Sequence, residues 1–159
     1  MIQDLFSMTG KVCLITGGSS GLGSYMAEGF LEAGAELVFI TGRSKDKLFK
    51  KADELSALGK GQCIGIPGDL SDLEGVQVLA DTISKRESHL DVLVNNAGLG
   101  LGTQIETMTA KAWDKSMSLN TRSPLFLTQA LLELLKANAT LDDPSRIIFI
   151  SSVAASGVL

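Results

Sequence analysis

The fold is decided by a glycine-rich stretch near the start of the chain, Thr16-Gly17-Gly18-Ser19-Ser20-Gly21-Leu22-Gly23. It follows the apolar run Val12-Cys13-Leu14-Ile15, which predicts a strand, and it precedes an amphipathic stretch with helical spacing. Glycines at this spacing allow a tight turn, a close approach of the backbone to a pyrophosphate, and close packing of strand and helix. Amide groups at the start of a helix are also suited to binding an anion. A structural turn alone would explain the glycines too, but the strand before them and the helix after them favour nucleotide binding.

Composition and charge narrow the class of protein. The 159 residues are 45% hydrophobic, and 17 glycines with only 3 prolines are typical of a compact globular chain rather than a disordered one. A formal net charge of -4 without a basic stripe argues against nucleic acid or an anionic membrane as a partner. No apolar run reaches the roughly 18 residues of a membrane span, and Met1–Phe6 lacks the basic residues of a secretory signal.

Reactive side chains are few. Cys13 and Cys63 lie in apolar, strand-like stretches, which is typical of buried thiols in a reducing compartment and makes the cytoplasm the expected location. His89 is the only histidine and lies beside charged residues, so we expect a solvated loop residue rather than a base or a ligand. With one histidine, the sequence gives little basis for a metal site or a histidine-based triad, and no metal is predicted.

Short apolar runs alternate with longer amphipathic stretches, and this pattern predicts a parallel α/β sheet. Right-handed crossovers and a glycine loop after the first strand predict a doubly wound, Rossmann-like arrangement with strand order 3-2-1-4-5. A ligand would then lie across the carboxyl ends of the strands. We find no repeat or linker, so residues 1–159 are predicted to form a single dinucleotide-binding domain. The predicted strands are Lys11–Thr16, Glu36–Gly42, Gln62–Pro67, Leu90–Asn95 and Arg146–Ser151.

Four helices are predicted between these strands. The first ends at Gly34, and the second begins at Ser44 and continues to about Leu58. Apolar residues at i, i+3, i+4 and i+7 from Val76 mark the third. The fourth is predicted as one long helix from about Thr109 to Leu135. The residues predicted on the apolar faces of the first and fourth helices are Leu22, Met26, Ala27, Phe30, Ala33, Trp113, Met117, Leu127, Leu131 and Leu134.

Several motifs, in this order, resemble the short-chain dehydrogenase/reductase family in its short branch. The spacing Gly17-x-x-x-Gly21-x-Gly23 fits that branch, whereas the extended branch would have a glycine in place of Ser20. Asn95-Asn96-Ala97-Gly98 after the fourth strand and Ser151-Ser152 after the fifth also match. The resemblance covers the chain from Thr9 onward. It implies an oxidoreductase similar to NADP-dependent carbonyl and 3-oxoacyl-thioester (rhamnolipid-type) reductases.

Arg43 predicts NADP rather than NAD as the cofactor. It lies just past the second strand, where an acidic residue would hydrogen-bond to the ribose hydroxyls of NAD. A guanidinium can bind a 2′-phosphate through two parallel hydrogen bonds, and Ser44, Ser19 or Ser20 can add a hydroxyl donor. Many NADP-binding family members carry a second basic residue at the position of Ser20. The alternative is that Arg43 is a solvated residue leading into a lysine-rich helix.

The resemblance also assigns roles at the next two strand ends. The carboxylate of Asp69 would hold the adenine amino group and the backbone of Leu70 would flank the ring, although Asp69 or Ser71 could simply cap the next helix. Small residues would let the ribose and nicotinamide lie close to the backbone at Asn96-Ala97-Gly98. Mainly structural roles are implied for Asn95, which would tie strands together, and for Thr16, which would stabilise the turn.

Two residues are candidates for the chemistry. Asn120 lies in the middle of the predicted fourth helix, on the same stripe as Met117, and Pro124 cannot donate a hydrogen bond to its carbonyl. That carbonyl is predicted to hold a water, which fits the family's use of an asparagine in a proton relay. The alternative is a helix kink with Asn120 satisfied locally. The match at Ser151-Ser152 makes Ser152 the predicted catalytic serine, which stabilises and orients the substrate oxygen.

The family's acid/base residue is a tyrosine in a Tyr-x-x-x-Lys helix beyond the serine. The sequence ends at Leu159 and its only tyrosine is Tyr25, in the predicted first helix. We therefore expect an incomplete form of an NADP(H)-dependent oxidoreductase acting on a small-molecule carbonyl, with Ile147–Ile150 on an open sheet edge. The alternatives are a dinucleotide-binding module without catalysis and a non-functional fragment. Family members are usually homo-oligomers through their fourth and fifth helices, and this chain has only the fourth, so its oligomeric state is not predicted.

Overall fold

The computed structural model describes residues 5–152, in which five parallel strands form one sheet. The strand order is β3-β2-β1-β4-β5, and this confirms the predicted doubly wound topology. Four of the strands are one or two residues shorter than predicted, and the strand Gln62–Pro67 has the predicted bounds. The strands are β1 (Val12–Ile15), β2 (Leu37–Gly42), β3 (Gln62–Pro67), β4 (Val92–Asn95) and β5 (Arg146–Phe149).

Helices connect the strands on both faces of the sheet. Asp72 and Thr109 cap two of them, because their side chains accept hydrogen bonds from the amides of Gly75 (2.7 Å) and Ala112 (3.2 Å). Within residues 5–152, no helix is both long and apolar enough to cross a bilayer. The helices are α1 (Gly21–Glu32), α2 (Lys45–Ser56), α3 (Leu73–Ser84), α4 (Ala110–Met117), α5 (Ser123–Ala130) and α6 (Leu132–Ala137).

The core consists of two apolar layers, one on each face of the sheet. Successive strand residues alternate between these layers, as the two-residue period of a strand requires. Helices α1 and α2 cover Cys13, Ile15, Val38 and Ile40 on one face. Helices α3, α5 and α6 cover Leu14, Phe39 and Leu93 on the other. Because both faces of β1, β2 and β4 are covered, the polar ends of these strands are the part open to a ligand.

The predicted fourth helix is wrong as a single element. A π-helical turn, Ser118–Arg122, separates α4 from α5, and the amide of Ser123 donates to the carbonyl of Ser118 across it. Each helical residue advances about 100°, so the extra residue of a π turn rotates the faces on its two sides relative to one another. The stripe predicted through both halves is therefore broken. Leu127 and Leu131 are buried as predicted, whereas Trp113 is 54% exposed and Met117 is also exposed.

The apolar face of α1 also differs from the prediction. Its buried residues are Gly23, Ala27 and Leu31, each one helical turn from the next. Leu22 lies outside this stripe and is 66% exposed, so its predicted place on the packed face is wrong. The reason is local, because Gly23 has no side chain and brings its own side of the helix against the glycine loop.

Strand β5 forms one edge of the sheet in the described residues. It pairs with β4 only, through registers such as Leu93 with Ile147 and Val94 with Ile148. Its apolar side chains, together with that of Ile150, remain partly exposed. The open apolar edge predicted for Ile147–Ile150 is confirmed for this part of the chain.

Candidate cofactor-binding site

Two adjoining cavities lie along the carboxyl ends of the strands, and they share Asn96, Ala97 and Gly98. The first, of about 250 Å³, continues from these residues toward β2 and β3. The second, of about 490 Å³, continues toward β5. The first is lined by Gly17, Ser19, Ser20, Thr41, Gly42, Arg43, Gly68, Asp69, Leu70 and Leu119. The second is lined by Asn95, Leu99, Gly100, Asn120, Pro124, Phe149, Ile150, Ser151 and Ser152.

The glycine loop has the geometry that its sequence predicts. Gly17 and Gly21 have positive φ values of 68° and 56°, which favour glycine. A Cβ on Gly23 would lie 2.4 Å from the carbonyl oxygen of Gly17 and 2.7 Å from Nδ2 of Asn96. Gly23 thus lies beneath the loop and lets the start of α1 approach it closely.

Thr16 and Asn96 tie this loop to the end of β4. The hydroxyl of Thr16 accepts hydrogen bonds from the amides of Asn96 (3.0 Å) and Ala97 (2.9 Å). In return, Nδ2 of Asn96 donates to the carbonyls of Thr16 (2.9 Å) and Gly17 (3.2 Å). Asn95, which we expected to tie strands together, accepts through its backbone carbonyl from the amide of Ile150 (3.0 Å), and its side chain donates to Thr128 on α5 (3.3 Å). The walls common to both cavities are therefore fixed by reciprocal hydrogen bonds.

The β2 end of the first cavity presents one cation and two hydroxyls. Arg43 is exposed and follows directly after Gly42, the last residue of β2. A Cβ on Gly42 would lie 2.9 Å from Oγ of Ser19, so the absence of a side chain there brings this hydroxyl close to the strand end. Ser20 lines the same cavity, whereas Ser44 precedes α2 and does not line it. The arrangement is suited to an anion with several acceptor oxygens.

The β3 end presents a carboxylate. Oδ1 of Asp69 accepts a hydrogen bond from the amide of Ser71 at 2.9 Å. This bond, together with the Ser71 side chain and the positive charges of Arg43 and Lys115, holds the pKa of Asp69 below its usual value. Neither Asp69 nor Ser71 caps the next helix, because that position belongs to Asp72. Asp69 therefore lines the cavity as an ionised acceptor at neutral pH.

Asn120 lies between the loop after β4 and helix α4. Its Oδ1 accepts from the amide of Leu99 (2.9 Å), and its Nδ2 donates to the carbonyl of Leu99 (2.8 Å) and to Oγ of Ser116 (3.2 Å). Asn120 is exposed and its side chain bonds to this loop, so its predicted position on a core-facing stripe is wrong. The π turn rotates it away from the core-facing side of the helix. The predicted water at its backbone carbonyl stays a prediction.

The β5 end of the second cavity contains Ser151 and Ser152, which follow the strand after Ile150. The Val153-Ala154-Ala155 part of the matching motif lies outside the described residues. Tyr25, the one tyrosine of the sequence, is on α1, is 70% exposed and does not line either cavity.

Not every predicted cofactor residue lines a cavity. Thr16, Gly21, Leu22, Gly23 and Ser44 lie behind or beside the walls, where the first four shape the loop and the start of α1. Sequence reasoning missed four residues that line the first cavity. The two glycines among them lie at strand ends and could have been found from those positions. The threonine is a buried strand residue and the leucine belongs to the π turn, and neither has a local sequence signal. The four are Thr41, Gly42, Gly68 and Leu119.

Comparisons with known proteins agree with this geometry. A sequence profile of the family described as short chain dehydrogenase matches residues 11–158. The chain is 43% identical over 149 residues to a rhamnolipids biosynthesis 3-oxoacyl-[acyl-carrier-protein] reductase of Pseudomonas aeruginosa. The aligned residues cover 94% of this chain and 57% of that relative.

Two solved structures are similar throughout the described fold. One, an RhlG/NADP active-site complex from Pseudomonas aeruginosa, matches with a TM-score of 0.91 at 42% identity, over 97% of this chain and 59% of that one. The other, a metagenomic short-chain oxidoreductase in complex with NADP, has a TM-score of 0.84 at 31% identity, over 96% of this chain and 66% of that one. The chain thus spans about three fifths of the length of these proteins, and it belongs to the short-chain dehydrogenase family.

Proposed function

We propose that the chain binds NADP(H) along the carboxyl edge of its sheet, as part of an oxidoreductase acting on a carbonyl or hydroxyl group. The observation that carries the proposal is the first cavity, which combines a glycine loop, an exposed guanidinium and an ionised carboxylate in one continuous wall. Family membership and the NADP content of two similar structures support the same cofactor.

The residues present fit such a dinucleotide. The glycine loop would bind the pyrophosphate, since Gly17 and Gly23 let the loop, the start of α1 and the end of β4 approach one another without side chains between them. Arg43 and Ser19 would hold the 2′-phosphate, and this anion is what distinguishes NADP from NAD. Asp69 and the buried wall formed by Leu70 would hold the adenine. The bound cofactor would supply the hydride.

The second cavity is the proposed substrate end. Ser152 would donate to the substrate oxygen, and Asn120 would keep the adjoining loop in place through its two hydrogen bonds to Leu99. Phe149 and Ile150 make the far wall apolar. An apolar wall is compatible with an acyl chain, so a 3-oxoacyl thioester is the proposed substrate, as the name of one relative suggests.

A second candidate function is dinucleotide binding without catalysis. The observation behind it is that Arg43 and Asp69 line the first cavity, whereas Tyr25 is exposed on α1 and lies outside both cavity linings. The two functions share the first cavity and differ only in what happens at the second. Both therefore predict the same cofactor preference.

A steady-state assay separates the two. NADPH consumption is followed with a 3-oxoacyl thioester for the protein isolated from its source, and for its Ser152→Ala variant. The oxidoreductase predicts turnover that the variant lowers by roughly a hundredfold, because a donor to the developing charge is lost. Cofactor binding without turnover would select the non-catalytic module. Absence of cofactor binding would contradict both functions.

We further propose that copies of the chain associate through the outer face of α4 and α5. Met117, Leu125 and Phe126 are exposed there, and they line a shallow cavity together with Asp114 and Arg122. In a two-fold antiparallel pairing, the carboxylate of one copy would face the guanidinium of the other. Sedimentation of the wild-type chain and of Leu125→Glu tests this, with dissociation expected for the variant and an unchanged mass contradicting it.

A cytoplasmic location is also part of the proposal. Cys13 and Cys63 are buried and unpaired, as is typical of a compartment that keeps thiols reduced. Fractionation of the source cells tests it, and recovery of the protein from an oxidising compartment would contradict it.

A further inference from the structure

Thr41 makes two contacts with the glycine loop that nothing in its own sequence neighbourhood indicates. Its Oγ1 accepts a hydrogen bond from the amide of Gly17 at 3.2 Å, and its backbone carbonyl accepts from the amide of Gly18 at 2.9 Å. The residue is only 2% exposed and lies in β2, where it pairs with Ile66 of β3. One residue of a strand that is paired on both sides thus binds two consecutive amides of the loop.

The loop is held from two sides. On the β4 side, Nδ2 of Asn96 donates to the carbonyl of Gly17 at 3.2 Å. On the β2 side, the hydroxyl of Thr41 holds the amide of the same residue. If the hydroxyl were removed, the part-buried Gly17 amide would lose its acceptor within the protein, and the loss of such a bond is costly. The bond from the Gly18 amide to the Thr41 carbonyl would remain, but the Gly17 peptide itself would be held only by Asn96, which favours movement of that peptide toward β4 and away from β2.

That movement matters for the two phosphate subsites. Arg43 follows β2 directly, two residues after Thr41, whereas Ser19 is part of the loop and lies beside Gly42. A ligand that contacts both the guanidinium and the loop needs a fixed distance between them. A ligand without the 2′-phosphate contacts the loop but does not depend on Arg43.

We propose that Thr41 is a positioning residue that sets the distance between the pyrophosphate-binding loop and Arg43, and thereby the preference for NADP over NAD. The inference rests on the proposed cofactor function. It assigns to a buried hydroxyl, which accepts from the Gly17 amide, a part of the discrimination that would otherwise be given to Arg43 alone.

The test compares dissociation constants for NADP and NAD by titration calorimetry, together with thermal unfolding, in four variants of the chain. Thr41→Val removes the hydroxyl and keeps the shape, and Thr41→Ser restores the hydroxyl. Thr41→Cys offers a weak acceptor of similar size in case the valine variant does not fold. Ser56→Ala is the matched control, because the hydroxyl of Ser56 also accepts from a backbone amide, that of Cys63 at 2.9 Å, but outside the cavity.

For Thr41→Val we expect the NADP dissociation constant to rise about tenfold, the loss of one hydrogen-bonded contact, and the NAD constant to rise clearly less. Thr41→Cys should lie between valine and wild type, and Thr41→Ser should match wild type for both ligands. Ser56→Ala should lower the unfolding temperature while both constants stay the same.

Two results would overturn the inference. Equal changes for NADP and NAD in the valine and cysteine variants would reduce Thr41 to a structural residue, and so would unchanged constants. These results leave the proposed function intact, since the wild-type chain would still bind NADP. A wild-type chain that binds neither dinucleotide would instead reject the proposed function, and the inference with it.

Discussion

The absence of a side chain at Gly23 makes the sharpest prediction about the loop. In Gly23→Ala the new Cβ would lie 2.4 Å from the carbonyl oxygen of Gly17, 2.7 Å from Nδ2 of Asn96 and 2.9 Å from the Cα of Gly18. Two of these neighbours are backbone atoms of the loop, so the clash cannot be relieved by rotating a side chain. We expect the loop or the start of α1 to move, at an overpacking cost of about 1–3 kcal/mol.

Gly29→Ala is the matched control within the same helix. A Cβ at this position meets no atom within 4 Å, and replacing a helical glycine by alanine stabilises a helix by about 1 kcal/mol. Both variants share this propensity gain, so the difference between them isolates the clash. A difference of about 1–3 kcal/mol corresponds to roughly 2–12 °C in unfolding temperature for a chain of this size.

The assay is thermal unfolding of both variants, followed by NADP titration. Gly23→Ala should unfold below Gly29→Ala and bind NADP at least about tenfold more weakly, whereas Gly29→Ala should bind like wild type. If Gly23→Ala were as stable as Gly29→Ala and bound NADP equally well, the close approach of α1 to the loop, and the role given to it, would be wrong.

Three further predictions concern charge and thiol chemistry. Arg43→Ala should weaken NADP binding roughly ten- to a hundredfold and leave NAD binding unchanged. Lys47→Ala removes the same charge from an exposed position on α2 and should change the affinity for neither dinucleotide. A titration that gives the same result for both variants would reject the assigned role of Arg43. Burial raises the pKa values of Cys13 and Cys63 to about 12. A thiol reagent at neutral pH should therefore label neither cysteine in the folded protein and both cysteines after unfolding. Rapid labelling of the folded protein would contradict this. The lowered pKa of Asp69 means that its carboxylate stabilises the fold above the unfolded-state pKa of about 4 and that this stability is lost as the pH falls through the lower folded-state value. Asp69→Asn should therefore flatten the acid side of the stability profile measured by denaturant unfolding, and an identical profile would count against the contact with Ser71.

Sequence reasoning predicted the parts of the molecule that depend on local pattern. Apolar runs gave the five strands, and right-handed crossovers with a loop after the first strand gave their order. The glycine loop and the strand-end residues Arg43, Asp69 and Asn96 were found because parallel strands bring their carboxyl ends together.

The features that were missed depend on contacts distant in sequence. The π turn at Ser118–Arg122 cannot be distinguished by hydrophobic period from a continuous helix, and so the faces of α4 and the direction of Asn120 were predicted wrongly. Thr41 is an ordinary residue of a predicted strand until the fold brings Gly17 within hydrogen-bonding distance. The role of such a residue can be recognised only when the structure gives the positions of both hydrogen-bonding partners.

The most direct test of the account is a calorimetric titration of the chain with NADPH and with NADH. The cavity formed by the glycine loop, Arg43 and Asp69 predicts saturable binding of one NADPH per chain, with NADH binding at least about tenfold more weakly because it lacks the 2′-phosphate. Equal affinity for the two dinucleotides, or no saturable binding of NADPH, would contradict the proposed cofactor site.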